Sequence, residues 1–224
     1  MEISPIAHIF TEFSDKFGIP RQSGLAKDTI GRIVFEPEYR NPDALKGLDG
    51  FSHIWLIWEF TECHTDEFKA SVRPPRLPNN SHMGVFATRS PYRPNALGLS
   101  SVEIADISPD SDEGPIIYVK GADILSGTPI YDIKPYLPYA DCHIDAKGGF
   151  AENVGDYRLK VHFPDDYLSR IPEENRSAAV EVLAEDPRPS YAKNDPEKVY
   201  GLTFAGHNIK FSVNYKDLYV VDVF

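Results

Sequence analysis

Two arginines four residues apart, Arg89 and Arg93, stand in the segment GVFATRSPYRPNALGLS at 84–100, with Pro91 between them and Pro94 and Asn95 just after. Proline fixes the backbone, so this composition makes a stiff, extended loop presenting two planar guanidinium groups. Such a fork suits recognition of a carboxylate or phosphate, with Asn95 as a further hydrogen-bonding group. The same loop can instead have its arginines paired with the chain's many acids, and the pattern alone leaves both readings open. In GTPIYDIKPYLP at 127–138, Asp132 and Lys134 flank Ile133 and share the face opposite it. That pair either holds a zwitterion or is a surface ion pair worth about 0–1 kcal/mol, and the residues by themselves favour the surface pair. Arg21 and Gln22, after Pro20, form a hydrogen-bonding corner or a solvated turn. His53 adjoins the aromatic run WLIWEF, where a strand-entry or core histidine is a better reading than a catalytic base.

Several chemistries lack their signatures. There is no GxGxxG, no GxxxxGK[ST], no HExxH and no GxSxG. A nucleotide-like cofactor is therefore expected to bind outside the usual dinucleotide fold, and no metal site is expected. Cys63 and Cys142 form no CxxC pair and read as reduced thiols.

The net charge of −11 and pI of about 5.1 look wrong for a polyanion partner. The charge is uneven, however. From 69 to 95 the chain carries Lys69, Arg73, Arg76, Arg89 and Arg93 and no acid, a local strip able to hold an anion or an RNA segment. Hydrophobic residues at 42% and charged residues at 25% are the balance of a soluble globular protein. No apolar run is long enough to span a bilayer, and MEISPIAHIF has neither the basic nor the apolar part of a secretory signal. A cytoplasmic protein without membrane association is expected.

The elements that must position these residues are mostly strands. Short runs rich in β-branched and aromatic residues fall at 6–10, 31–35, 53–60, 84–88, 99–107, 116–120, 130–133 and 157–163. Alternation within 101–107 puts Val102, Ile104 and Asp106 on one face. Many strands without intervening long helices predict an antiparallel barrel or sandwich. One helix is expected at 172–185, opened by Pro172 and two glutamates and stopped at Asp186-Pro187. A meander follows at 199–204, 208–215 and 218–223, with turns at Gly206-His207-Asn208 and at 214–217. A boundary is expected near 145–156, dividing domains at 1–145 and 156–224.

The segments PRQSGL at 20–25, GLDGFSHIWLI at 47–57, VRPPRLP at 72–78, GVFATRSPYRPNALGLS at 84–100, GTPIYDIKPYLPYAD at 127–141 and EDPRPSY at 185–191 occur in one order. Together they closely resemble the TsaA-like (TrmO) family of tRNA N6-threonylcarbamoyladenosine methyltransferases. The resemblance implies a mainly β fold: a β-barrel-like S-adenosylmethionine-binding domain plus a small α+β C-terminal domain related to tRNA binding. It also implies a homodimer and methyl transfer to the N6 of threonylcarbamoyladenosine beside the anticodon. By that similarity Pro20, Arg21, Gln22, Thr61, Glu62, Arg89, Leu97, Ser126, Gly127, Thr128 and Pro129 would contact the cofactor. Ser126 stands where relatives carry the aspartate of DGTP, and Thr61-Glu62 where they often carry histidine and a polar residue. For the tRNA the expected residues are Arg73, Arg76, Arg93, Asn95, Asp132, Lys134, Tyr136, Arg188 and Tyr191. The catalytic base is not named by the sequence. A non-catalytic S-adenosylmethionine sensor, or a methyltransferase of another substrate, is the alternative.

Overall fold

The structure, a computed structural model, describes residues 2–63, 67–74, 81–108, 112–152, 157–189, 192 and 194–224. Six strands close into a barrel: β1 (Ala7–Phe10), β2 (Ile30–Phe35), β3 (His53–Glu59), then, after a two-stranded ribbon of β4 (Ser71–Val72) and β5 (Met83–Gly84), β6 (Leu97–Ser108), β7 (Ile116–Lys120) and β8 (Thr128–Pro135). Around the barrel the order is β1-β2-β7-β6-β3-β8, with every pair antiparallel. The cause is visible in β3, where Ile54, Leu56 and Trp58 are buried while the residues between them face outward. With Ile9, Ile33, Val102, Ile117, Val119 and Ile130 they fill the barrel core.

Register places the strand ends unambiguously. Ile9 pairs with Thr128, Phe10 with Arg32, Ile30 with Lys120, Trp58 with Ile130, and Glu59 with Leu97. The connections 11–29, 60–96 and 121–127 therefore all leave from one end of the barrel. These connections carry most of the residues singled out for the cofactor.

After α1 (Pro138–Asp141) the chain reaches the C-terminal unit, with β9 (Lys160–His162), α2 (Asp165–Leu168) and α3 (Glu173–Ala184), then β10 (Asp195–Phe204), β11 (His207–Asn214) and β12 (Asp217–Val223). Its sheet runs β10-β11-β12-β9. Helix α3 buries Ala178, Ala179, Val182 and Leu183 against that sheet's core, and Asp186 terminates it at φ 56°.

Three expectations need correction. Residues 84–88 are not a strand: pairing ends at Gly84, and Val85–Ala87 form a 3-10 turn closed by Thr88 Oγ1 donating to Val85 O at 2.9 Å. In β6 the alternation breaks at a bulge between Ile104 and Asp106, so Ile107 joins Ile104 at the core and Asp106 is exposed. The turn between β10 and β11 is Ala205-Gly206, both at positive φ, and His207 and Asn208 belong to β11.

Candidate active site

At the loop-bearing end of the barrel, Arg89 is exposed and donates through Nη1 to the Gln22 side-chain oxygen, joining the 60–96 connection to the 11–29 connection. Gln22 in turn donates to Arg21 O, and Pro20 is buried. Arg93 is half-buried and works as a staple. Its Nη1 donates to Thr88 O at 3.2 Å and Ser90 O at 3.3 Å, which holds the Pro91 turn closed and leaves Arg89 as the outward member of the pair. Asn95 is exposed, and its carbonyl accepts from Leu97 N at 2.7 Å.

Beneath these groups lies a residue that the motif reading missed. Asp123 accepts from Ser100 Oγ at 2.6 Å, and Ser100 Oγ accepts from Trp58 Nε1 at 3.0 Å. Burial pushes the Asp123 carboxyl above its ordinary value, against the hydrogen bond of Ser100, its own backbone, the charge of Arg89 and the backbone N–H of Ser23. One carboxylate thus touches the strand β6, the corner after Gln22 and the field of Arg89. Gly98 makes the arrangement possible, since a Cβ there would lie 2.2 Å from the Trp58 ring. The signal in the sequence was a lone acid between Ala122 and Ile124, inside an otherwise apolar run three residues before Ser126.

Other expected cofactor residues lie at the same end of the barrel. Thr61 and Glu62 are exposed just past β3, where Glu62 Oε2 pairs with Lys16 Nζ at 3.1 Å. Leu97 is exposed at the start of β6. Ser126 Oγ accepts from Thr11 N at 3.2 Å, so that hydroxyl caps the end of β1. Gly127 is exposed, whereas Thr128 and Pro129 are buried in the β8 pairing. Beside them the Tyr131 hydroxyl donates to Glu59, and that bond pushes the phenol up to about 12.

The residues expected at the tRNA divide. Arg73 is exposed just past β4, in the same connection as Arg89. Arg76 and Tyr191 lie outside the described residues. Asp132 and Lys134 form an exposed ion pair at 2.8 Å, the reading the residues favoured. Lys134 and Tyr136 sit toward the opposite end of the barrel, where Tyr136 packs on Trp55 with centroids 5.6 Å apart. The structure does not bring them to Arg89 within one chain. His53 accompanies them there, near the same tyrosine and Ser52, far from the loop-bearing end. Arg188 corrects its expectation. Its Nε and Nη2 donate to the two oxygens of Asp186 at 2.8 and 3.0 Å, and only 9% of the side chain is exposed. The Nε and Nη2 edge of the guanidinium is committed to that carboxylate, so the side chain is held against Asp186 instead of extending into solvent.

Models of two family domains match the chain, the tRNA-methyltransferase O N-terminal domain over residues 8–142 and the TrmO C-terminal domain over 156–224. The chain belongs to the tRNA-methyltransferase O family. It is 36% identical over 219 residues to the tRNA (adenine(37)-N6)-methyltransferase of Escherichia coli K12, covering 95% of this chain and 93% of that one. It is also 36% identical over 158 residues to the human tRNA (adenine(37)-N6)-methyltransferase, there covering 70% of this chain and 34% of the human one. Among solved structures, the crystal structure of TrmO from Pseudomonas aeruginosa superposes with a TM-score of 0.79 at 31% identity, over 100% of this chain and 98% of that one. The mainly β architecture expected from the residues, a barrel with a small α+β unit behind it, is the one this family has.

Proposed function

We propose that this chain is an S-adenosylmethionine-dependent methyltransferase that methylates the N6 of threonylcarbamoyladenosine beside the anticodon of tRNA, working as a cytoplasmic homodimer. The observation that carries the reading is the gathering of Gln22, Arg89, Asp123 and the 126–127 turn by three connections at one end of the barrel. This donor set fits the cofactor. A carboxylate, a guanidinium and an amide suit a zwitterionic amino-acid portion and ribose hydroxyls, and the exposed Leu97 and Leu99 offer an apolar surface for a base.

When bound, S-adenosylmethionine supplies an electrophilic methyl group, so the tasks left to the protein are orientation, charge placement and exclusion of water. Gln22 and Arg89 form the wall through their shared hydrogen bond. Asp123, held by Ser100 and Ser23, sets a carboxyl oxygen as an acceptor beside the place that the donor would occupy. The threonyl carboxylate of the substrate needs a cation, and Arg89 is better disposed to meet it than the stapled Arg93 or the distant Lys134. Arg73 and the other bases of the 69–95 strip are the groups suited to the tRNA backbone.

Calorimetry tests the cofactor directly: the parent chain should bind S-adenosylmethionine at one per chain, and Arg89→Ala and Asp123→Asn should each weaken binding roughly tenfold or more, the scale of a lost hydrogen bond to a charged group. Methyl transfer to tRNA carrying threonylcarbamoyladenosine, and none to tRNA lacking it, is the matching activity result. Absence of heat at millimolar ligand would remove the cofactor, and light scattering that shows only monomer with activity intact would remove the dimer.

A further inference from the structure

The 60–96 connection carries a surface that the donor site does not use. Phe68 stands just before β4 and Phe86 just after β5, and the register Ser71↔Gly84 and Val72↔Met83 brings the two together across the ribbon. Their rings stack with centroids 6.3 Å apart and planes within 26°. Phe68 is 61% exposed and Phe86 72% exposed, so this aromatic face is turned to solvent. It is not a loose end. Val85, beside Phe86, is buried, and its N–H donates to Ala70 O at 2.9 Å, which anchors the ribbon. The turn that carries Phe86 leads through Thr88 directly into Arg89.

Charge singles out the kind of partner. Lys69 and Arg73 are exposed on either side of β4 and Arg89 is exposed on the next turn; Glu67 is the acid next to Phe68, and none follows from 69 to 95 in a chain whose net charge is −11. A polyanion finds here cations beside flat apolar rings. Cations with aromatic rings are the equipment of single-stranded nucleic acid binding, because every base has a face to stack and every linkage a phosphate to neutralise.

We propose that Phe68 and Phe86 form a stacking platform for an unpaired base of the RNA substrate, with Lys69 and Arg73 contacting the flanking phosphates. The inference rests on the tRNA reading above and assigns it a place. The platform sits one turn from Arg89, so a base held there puts the neighbouring nucleotide within the donor end of the barrel.

The experiment measures binding of an anticodon stem-loop RNA across a salt series, with cofactor affinity in parallel. Phe68→Ala with Phe86→Ala should weaken RNA binding by roughly tenfold, the scale of one lost stack, while the salt slope and S-adenosylmethionine affinity stay at parental values. Phe86→Leu keeps apolar bulk but loses the flat face, and should fall most of the way toward the double variant. Lys69→Ala with Arg73→Ala should instead lower the salt slope by about one per lost phosphate contact. Parental RNA affinity in the double variant overturns the platform and leaves the tRNA reading standing. So does a double variant that turns a dimer into monomers with RNA affinity unchanged, since the face would then belong to a second copy. A parent chain that binds no stem-loop removes the tRNA reading and the platform together.

Discussion

Among the described residues, every buried side chain of the barrel core comes from the barrel strands themselves or from Ala122 and Ile124 in the connection after β7. The C-terminal core is assembled differently. Beside its own Leu159, Leu183, Leu202, Phe204 and Phe211 it takes in Phe13 and Ala26, with Phe17 and Ile19 packed at its margin, all from the connection between β1 and β2. Phe13 is fully buried and meets Phe204 edge to face at 5.6 Å. Polar contacts fix the same segment: Asp28 N donates to Glu181 at 2.9 Å, Arg158 donates to Leu25 O at 3.2 Å, and Ala205 N donates to Glu12 O at 3.1 Å. Gly18 turns this connection at φ 92° directly over Leu202, where a Cβ would lie 2.1 Å from a methyl. So the loop that carries Pro20, Arg21 and Gln22 hangs from the C-terminal unit although its sequence lies within the barrel's. That unit is part of the scaffold of the barrel's loop-bearing end.

The sharpest way to break this comparison is Phe13→Ala. Loss of a fully buried phenyl should cost about 3–5 kcal/mol, and denaturant unfolding should show it. Native-state hydrogen exchange should lose protection in β10, β11 and β12 while the barrel strands keep theirs, and calorimetry should find weaker S-adenosylmethionine binding. Loss of protection confined to the barrel would mean that the connection belongs to the barrel core after all.

Arg188→Ala probes the same seam, with an expected loss of about 3 kcal/mol, because Asp186 is left as a nearly buried charge without its partner. Burial opposes ionisation of Asp186, but Arg188 and the Tyr157 hydroxyl outweigh it and hold the carboxyl below its ordinary value of 3.8. A depressed folded pKa contributes stability that is present above 3.8 and is lost as the pH falls through the folded value. Parent and variant should therefore converge in strongly acidic solution and differ most near neutrality. Thermal melts from pH 2 to 7 check this. A weakened tRNA affinity with unchanged stability would instead return Arg188 to the RNA.

The smallest effect belongs to the barrel's outer wall. Lys134→Ala removes an exposed ion pair and should change stability by less than about 0.5 kcal/mol in chemical denaturation, salt-dependent and near the limit of measurement. A larger loss would mark that face as part of an interface.

The strands were legible where alternation and β-branched residues coincide. The sequence predicts β7 at 116–120 and the structure has Ile116–Lys120, and the helix expected at 172–185 is Glu173–Ala184. Legibility failed where a single hydroxyl or an extra residue decides the backbone. Val85 and Phe86 are good strand formers, yet Thr88 closes a turn on them, and nothing local announces the bulge near Ala105. In the candidate site the motif segments were readable through their resemblance to a family, but that resemblance does not point to Asp123. Its importance arises from Ser100 and Trp58, which reach it only when the barrel closes. Phe13 is the extreme case, since its ring packs on Phe204, near the far end of the chain, and no periodicity spans that separation. Arg188 was expected at the tRNA, and its pairing with Asp186 depends on the αL backbone that brings the carboxylate to it, which no local pattern announces.

The chain's two tryptophans are oppositely placed indicators. The Trp58 indole N–H is bonded to Ser100 at 3.0 Å and through it to Asp123, whereas the Trp55 indole N–H is bonded to Asp141 at 3.0 Å near the other rim. Each indole proton gives its own resonance in a nitrogen-15 spectrum and needs no label beyond the isotope. The molecule thus comes with an internal signal and an internal reference: a ligand entering beside Asp123 is sensed by one ring, while the other registers only changes that reach the whole barrel.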